Sequence, residues 1–301
     1  MDGSSGWARF RRSEAASGLV MMAPPGLFAI LLLAVPLFTV LLSSFYTDGT
    51  TETGVKTVLP IFTIDNYVQV WTKDLYRTLM FRSLAISLSV TAITVLLAYP
   101  VAYFVSFHVA PSRKSLWLFL ITIPFWTSYI IRVFLWKVVL GYNGVFSSVL
   151  EGVGIIGGPM SFLTNGGVAV TVTLAHAYAP FAILPIFVAL EKIDRSFLEA
   201  GQDLGETGFL TFLRVTLPLS MPGVIAAVMI VFIPTVGDYV TPDLMGDGKF
   251  PMIANAIQTQ MLKLQHRALG SALAVSAMAI VALVTVGFLV LNSRFLRGNS
   301  R

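Results

Sequence analysis

The sequence predicts an all-α membrane protein with about six transmembrane helices and both termini on the cytoplasmic side. Three observations carry this reading. Hydrophobic residues fill 56% of the 301 positions and charged residues only 12%, about half the charged share of a soluble domain. Six apolar stretches reach the roughly 20 residues that a helix needs to cross a hydrocarbon core of about 30 Å. The basic residues then divide unevenly between the segments joining those stretches, as they do when cytoplasmic loops retain positive charge.

Residues 1–24 read as a cytoplasmic N-terminal segment. Their Arg11-Arg12 pair is only superficially a twin-Arg signal, because Ser13-Glu14 follows and no small-residue cleavage site closes the next apolar run. That run is expected to remain as the first helix. The spans are expected near Pro25 to Phe45, Leu79 to Phe107, Leu116 to Leu140, Gly167 to Leu190, Leu217 to Val240 and Ala268 to Asn292. They make one membrane domain over 25–293, with a cytoplasmic loop at 191–216 and a cytoplasmic tail at 294–301.

With the N-terminus inside, the cytoplasmic set is Arg9, Arg11, Arg12, Arg113, Lys114, Lys192, Arg195, Arg214, Arg294, Arg297 and Arg301, eleven in all. The opposite side holds six: Lys56, Lys73, Arg77, Lys249, Lys263 and Arg267. In the first external segment Asp65 is a plausible N-cap for a short interfacial helix. The stretch from Asn143 to Ile156 is semi-apolar, interrupted by Gly and too short to span, which suits a partly embedded external element.

Composition closes off several functions. With no Cys, neither a disulfide nor a thiolate metal site can form. His108, His176 and His266 are far apart and no HExxH pattern occurs, so no metal or other cofactor is expected on this chain. The excess of 20 Lys+Arg over 15 Asp+Glu contains no basic run that would bind nucleic acid. Gly248-Lys249 is the one Gly-Lys pair, but Phe250 follows it and Asp243 stands where a phosphate loop needs Gly. An intramembrane enzyme lacks a converging nucleophile and base. A secondary transporter or channel would more often show inverted repeats and no exposed cytoplasmic helix.

That helix is expected between spans four and five, from about Asp194 to Leu204 and turned by Gly205. Leu198, Leu204 and Phe209 are too apolar for a freely solvated loop, and a short helix with an apolar and an acidic face wants a protein groove. The loop reads Glu199-Ala200-Gly201, three residues, Gly205, nine residues, then Val215-Thr216-Leu217-Pro218. It resembles the EAA motif of ATP-binding-cassette importer permeases: Glu-Ala-Ala, three residues, Gly, nine residues, then Ile-x-Leu-Pro. Gly201 and Val215 depart from that pattern; both changes are small or isosteric. The likeness implies a type I transmembrane domain whose coupling helix, with Glu199, Ala200, Gly201, Leu204, Gly205 and Pro218, meets an ATPase.

A narrower resemblance, to the spermidine/putrescine importer permeases, covers most of the chain. It rests on Tyr99-Pro100-Val101-Ala102-Tyr103, Pro124-Phe125-Trp126-Thr127-Ser128, Ile131-Arg132, Gly237-Asp238-Tyr239-Val240, Pro242-Asp243-Leu244-Met245-Gly246 and Ala268-Leu269-Gly270-Ser271-Ala272. Related permeases carry opines, amino-acid-like or phosphonate-type solutes, so the solute is less sharply implied than the mechanism. The resemblance implies a bacterial inner-membrane subunit that works with a second permease (a paralogue), two copies of a cytoplasmic ATPase carrying ATP and Mg, an extracytoplasmic solute-binding protein and the surrounding lipid.

Candidate pathway residues follow from charge and aromaticity at membrane depth. Arg132 and Lys137 lie within span three, where an ionised group at the bilayer centre costs about 2.5–3.5 kcal/mol on insertion scales. In one continuous helix Phe125, Trp126, Tyr129, Arg132 and Trp136 would share a stripe about 120° wide. Arg132 then reads either as half of a packing ion pair with Asp238 or as a pathway or docking residue. Asp238, Tyr239 and Asp243 sit beside Pro234, Gly237 and Pro242, a helix break that reads either as a gate lining a cavity or as an ordinary external helix end. In span four His176, near Tyr178, Pro180 and Pro185, reads first as a packing side chain.

The external acids Asp48, Glu52, Asp65, Asp74, Glu151, Asp238, Asp243 and Asp247 outnumber the six external bases. Such an entrance attracts cations, and Trp126, Tyr129 and Tyr239 have faces that hold an ammonium. Both features suit a polyamine.

Overall fold

The computed structural model describes residues 14–51, 54–156, 166–246 and 248–297. Arg9, Arg11, Arg12 and Arg301 of the basic count, and Glu52 and Asp247 of the acidic one, lie outside the described residues. Six stretches among the described residues are long and apolar enough to cross a membrane. Five contain one long helix; the other, Tyr129–Gly152, joins two short helices across a turn and so includes most of the stretch from Asn143 that the sequence reading sets outside the spans. In order the elements are α1 (Glu14–Ser43), a hairpin of β1 (Thr47–Thr50) and β2 (Lys56–Leu59), α2 (Asp65–Thr72), α3 (Asp74–Phe107), α4 (Pro111–Thr122), α5 (Tyr129–Leu140) and α6 (Val145–Gly152). There follow α7 (Gly166–Glu191), α8 (Arg195–Asp203), α9 (Gly208–Thr211), α10 (Leu217–Val236), α11 (Val240–Met245), α12 (Ile253–Gln258), α13 (Arg267–Leu291) and α14 (Ser293–Arg297).

Helices α3, α7 and α10 pack on one another and form the centre of the bundle. Their meeting faces carry Val90, Ala98 and Ala102, then Val170, Leu174 and Ile186, then Ala227 and Val231. Lipid tails are as apolar as these side chains, so close van der Waals approach holds such helices together. Gly223 shows how close: a Cβ built there would lie 2.4 Å from Ala189 Cβ and 2.5 Å from the Pro185 carbonyl oxygen. A second cluster joins Val70, Tyr76 and Leu79 to Phe232, Leu269 and Leu273, seating α13 against α2, α3 and α10. By contrast α1 packs along α13 and leaves its long apolar side chains exposed.

Four further expectations change. The third span is not one helix from Leu116 to Leu140: α4 runs into a 3-10 turn at Ile123–Trp126, and Thr127 and Ser128 are extended before α5 begins. Pro124, which has no N–H for the helical ladder, lies in that turn, whereas Pro100, Pro180 and Pro222 sit within continuous helices. The fifth span stops at Val236 rather than Val240, and Gly237 leads into α11. Asp65 is the first residue of α2 instead of its cap, and Thr63 Oγ1 accepts from the Asp65 N–H (3.1 Å). Finally, the antiparallel hairpin was not foreseen. Its Asp48 accepts from the N–H groups of Ala268 (2.8 Å) and Leu269 (3.2 Å), satisfying free donors at the start of α13, and Lys56 Nζ donates to the Leu264 carbonyl (2.9 Å).

Candidate coupling loop and translocation pathway

The loop after α7 is built by local capping. Asp194 accepts from the Ser196 N–H (3.0 Å), which starts α8 and holds the Asp194 carboxyl below its usual range. At the other end the Gly205 N–H donates to Gln202 O (2.9 Å) and the Glu206 N–H donates to Gly201 O (3.1 Å). This paired closure, a Schellman motif, places Gly205 at φ +82°, where a side chain is strained. Gly201 is buried, and a Cβ there would meet the Thr211 side chain at 3.2 Å, a close contact that the Gly in place of the motif's second Ala avoids. Glu199 and Ala200 are exposed, and Leu204 is 85% exposed with Phe197 and Phe209 also open. The exposed apolar residue on α8 itself is Phe197 rather than Leu198, which is partly buried.

Beyond the loop, Phe212–Thr216 form a π-helical turn in which the Leu217 N–H reaches Phe212 O. Pro218 follows at the start of α10; its missing N–H leaves the carbonyl four residues back without a donor, and the wider turn accommodates this.

Within the membrane region the break in span three meets the break in span five. The Tyr129 hydroxyl donates to Asp238 Oδ2 (2.8 Å) and contacts Thr241 Oγ1 (2.6 Å). Asp238 Oδ1 accepts from the N–H groups of Val240 (3.0 Å) and Thr241 (3.4 Å), so the buried carboxylate also starts α11. The packing ion pair between Arg132 and Asp238 does not form. Arg132 is 8% exposed and donates instead to Thr127 O (3.0 Å) and Ala177 O (3.4 Å), while its Nε has no partner. The extended backbone at Thr127 aims that carbonyl at the guanidinium.

A cavity of about 300 Å³ opens beside this cluster, walled by Phe125, Tyr129, Arg132, Tyr178 and Phe181. Trp126 does not join it. Because the helix is interrupted, the 120° stripe breaks, and Trp126 points out at 79% exposure. The Tyr239 ring is half exposed while its carbonyl accepts from Asn255 Nδ2 (2.8 Å). Asp243 lies apart from Asp238, on a smaller polar cavity of about 200 Å³ with Asn255 and Lys263. The Trp136 indole donates to His176 Nδ1 (3.1 Å), which gives His176 a packing partner.

Sequence reasoning missed Arg82, inside α3, whose Nη1 donates to Pro251 O (3.1 Å) and whose guanidinium covers the Phe250 ring at 4.7 Å. It also missed Thr241, Phe181 and Asn255. Arg82 carried the same signal as Arg132, a cation within an apolar stretch. No group of three or more metal-ligating side chains occurs among the described residues.

The family described as "Binding-protein-dependent transport system inner membrane component" matches residues 19–297. The chain is 37% identical over 256 residues to the spermidine/putrescine transport system permease protein PotB of Haemophilus influenzae, covering 85% of this chain and 87% of that protein. It is 32% identical over 238 residues to PotB of Escherichia coli K12, covering 79% and 86%. It is 28% identical over 282 residues to the inner membrane ABC transporter permease protein YdcU of the same strain, covering 86% and 88%. Among solved structures, a chain of a bacterial ABC transporter that imports the acidic polysaccharide alginate superposes with a TM-score of 0.68 at 16% identity. The superposition covers 98% of this chain and 99% of that one, a likeness of fold.

Proposed function

The chain belongs to the binding-protein-dependent transport system inner membrane components, and from that premise we propose that it forms, with a second permease, the pathway for a polyamine of the spermidine/putrescine type. It is a multi-pass inner-membrane permease subunit of an ABC importer, a transport subunit and not an enzyme. In the proposed assembly an extracytoplasmic binding protein delivers the solute, and a paralogous permease completes the pathway. Two copies of a cytoplasmic ATPase hold the ATP and Mg. The membrane domain is taken as 25–293, with both termini on the ATPase side.

The observation that supports the coupling role is α8: capped at Asp194, closed at Gly205 and leaving Phe197 and Leu204 exposed, as a helix that seats in a groove of another chain would. Because α8 follows four spans, placing it on the ATPase side puts the N-terminus there too. The polyamine assignment is supported by likeness to the PotB relatives and by the cavity walled with Phe125, Tyr129, Tyr178 and Phe181. Each well-placed ring holds an ammonium by about 0.5–2 kcal/mol, weakly enough for release. Asp238 lies behind the Tyr129 hydroxyl and supplies the negative field. Uptake of labelled spermidine and putrescine into vesicles bearing the reconstituted assembly tests the reading.

One observation favours a second solute class. Arg132 borders the same cavity with an unpartnered Nε and without a carboxylate partner among the described residues. A buried guanidinium of this kind suits a carboxylate or phosphonate, as in an opine, an amino-acid-like solute or a phosphonate. Thermal-shift screening of the cognate binding protein against polyamines, amino acids and opines separates the two.

A further inference from the structure

Three helices of the bundle converge on one carboxylate at the α8 end. Glu191 is the last residue of α7, and its Oε1 accepts from Lys114 Nζ (2.5 Å) in the first half of α4 and from Ser106 Oγ (2.6 Å) at the end of α3. The side chains of Lys114 and Glu191 are 14% and 34% exposed, and Ser106 is buried. Exposed ion pairs are loose and contribute little. A charge-assisted bond that is partly shielded and shared with a buried hydroxyl is shorter and stiffer.

The chain on either side of Glu191 is equally constrained. The N–H groups of Lys192 and Ile193 donate back to Ala189 (3.3 Å) and Leu190 (3.1 Å), and Ile193 packs against the central core. Asp194 then caps α8 directly. The link from α7 to α8 is therefore a tight turn with no slack between the two helices. On the other side of the ion pair, α4 leads through the Ile123–Trp126 turn to Thr127 and Tyr129. These two residues hold Arg132 and Asp238.

We propose that Glu191 is a positioning residue that, through Lys114, carries displacement of α8 along α4 to the Tyr129–Asp238 contact. The proposal rests on the reading of α8 as the ATPase-coupling helix. In it, α4 is a strut. Its cytoplasmic end is pinned to the root of α8 by Lys114 and Glu191, and its far end is hinged by the extended residues before α5. Without the ion pair, α8 still docks on the ATPase but its motion is no longer delivered to the break in span three.

The test uses the full assembly in proteoliposomes and reads four quantities: co-purification of the ATPase, basal ATP hydrolysis, hydrolysis stimulated by loaded binding protein, and spermidine uptake. Glu191→Gln and Lys114→Met are expected to keep co-purification and basal hydrolysis near wild type. Stimulated hydrolysis and uptake should fall by about tenfold, the order expected for one charge-assisted bond. The exchanged pair Lys114→Glu with Glu191→Lys should recover most of that loss, since the attraction is restored in reverse. Uptake unchanged in both single variants overturns the proposal. So does loss of ATPase co-purification or of basal hydrolysis in Glu191→Gln, which marks a purely structural role, and so does failure of the exchanged pair to recover uptake. Gly205→Asp, assayed in parallel, separates the two levels. If it couples normally, the reading of α8 fails and takes the strut with it; if it uncouples while Glu191→Gln does not, the strut alone fails.

Discussion

Tyr129 and Asp238 stand 109 residues apart in the chain and share a hydrogen bond of 2.8 Å between the two interrupted spans. Each residue lies just beyond a break: Tyr129 after the extended pair Thr127 and Ser128, Asp238 after Gly237. Backbone of this kind persists at membrane depth where it is buried in protein or lines a cavity, and here it does both, beside the 300 Å³ space walled by Phe125, Arg132 and Tyr178.

Asp238→Asn keeps an acceptor for the Val240 and Thr241 N–H groups but removes the charge. Polyamine uptake is expected to slow by roughly tenfold, the order of one charged hydrogen bond, with ATPase co-purification unchanged. Tyr129→Phe should slow uptake in the same direction. Unaltered transport kinetics in both variants excludes the cluster from the pathway.

At Gly205 the backbone has φ +82°, where a β-carbon costs about 1–2 kcal/mol. Glu199→Lys combined with Gly205→Asp is expected to leave membrane insertion intact and abolish ATP-driven uptake. Normal uptake in the double variant removes α8 from the coupling interface.

The orientation is tested by reporter fusions. Fusions after Lys114 and after Leu213 should report the cytoplasm, and fusions near Lys56, Gly154 and Gly248 the external side. Any exchange between the two groups revises the number of crossings.

Asp48 satisfies two N–H groups at the start of α13, so Asp48→Ala should cost about 1 kcal/mol, the usual loss at a helix N-terminus. The measurement is the unfolding temperature in detergent, which should fall, while Asp48→Asn should fall less. Equal stability of all three proteins contradicts the capping role.

Much of this architecture is legible in the chain because the bilayer imposes a length rule that apolar runs either meet or miss. The loop after α7 is legible for a different reason: Asp194, Gly201 and Gly205 act through local backbone bonds, so their spacing encodes the turn. Long-range pairings are not encoded in this way. Helical periodicity places Trp126 beside Tyr129 only in an unbroken helix, and Pro124 does not by itself announce the interruption, because Pro100, Pro180 and Pro222 lie within continuous helices. Asp238 was matched to Arg132 by charge, whereas Tyr129 and two backbone N–H groups take the carboxylate. Asp48 read as part of an acidic entrance, and only the folded hairpin brings it to α13.

The account stands most directly on solute uptake by the complete importer. Proteoliposomes containing this chain, the second permease and the ATPase, supplied with the cognate binding protein, are loaded with Mg-ATP and offered labelled spermidine together with a labelled anionic competitor such as an opine. The account predicts spermidine accumulation that requires both ATP and binding protein, and that Glu199→Lys with Gly205→Asp abolishes. Accumulation of the anionic solute in place of spermidine, or spermidine uptake that needs no ATP, would contradict it.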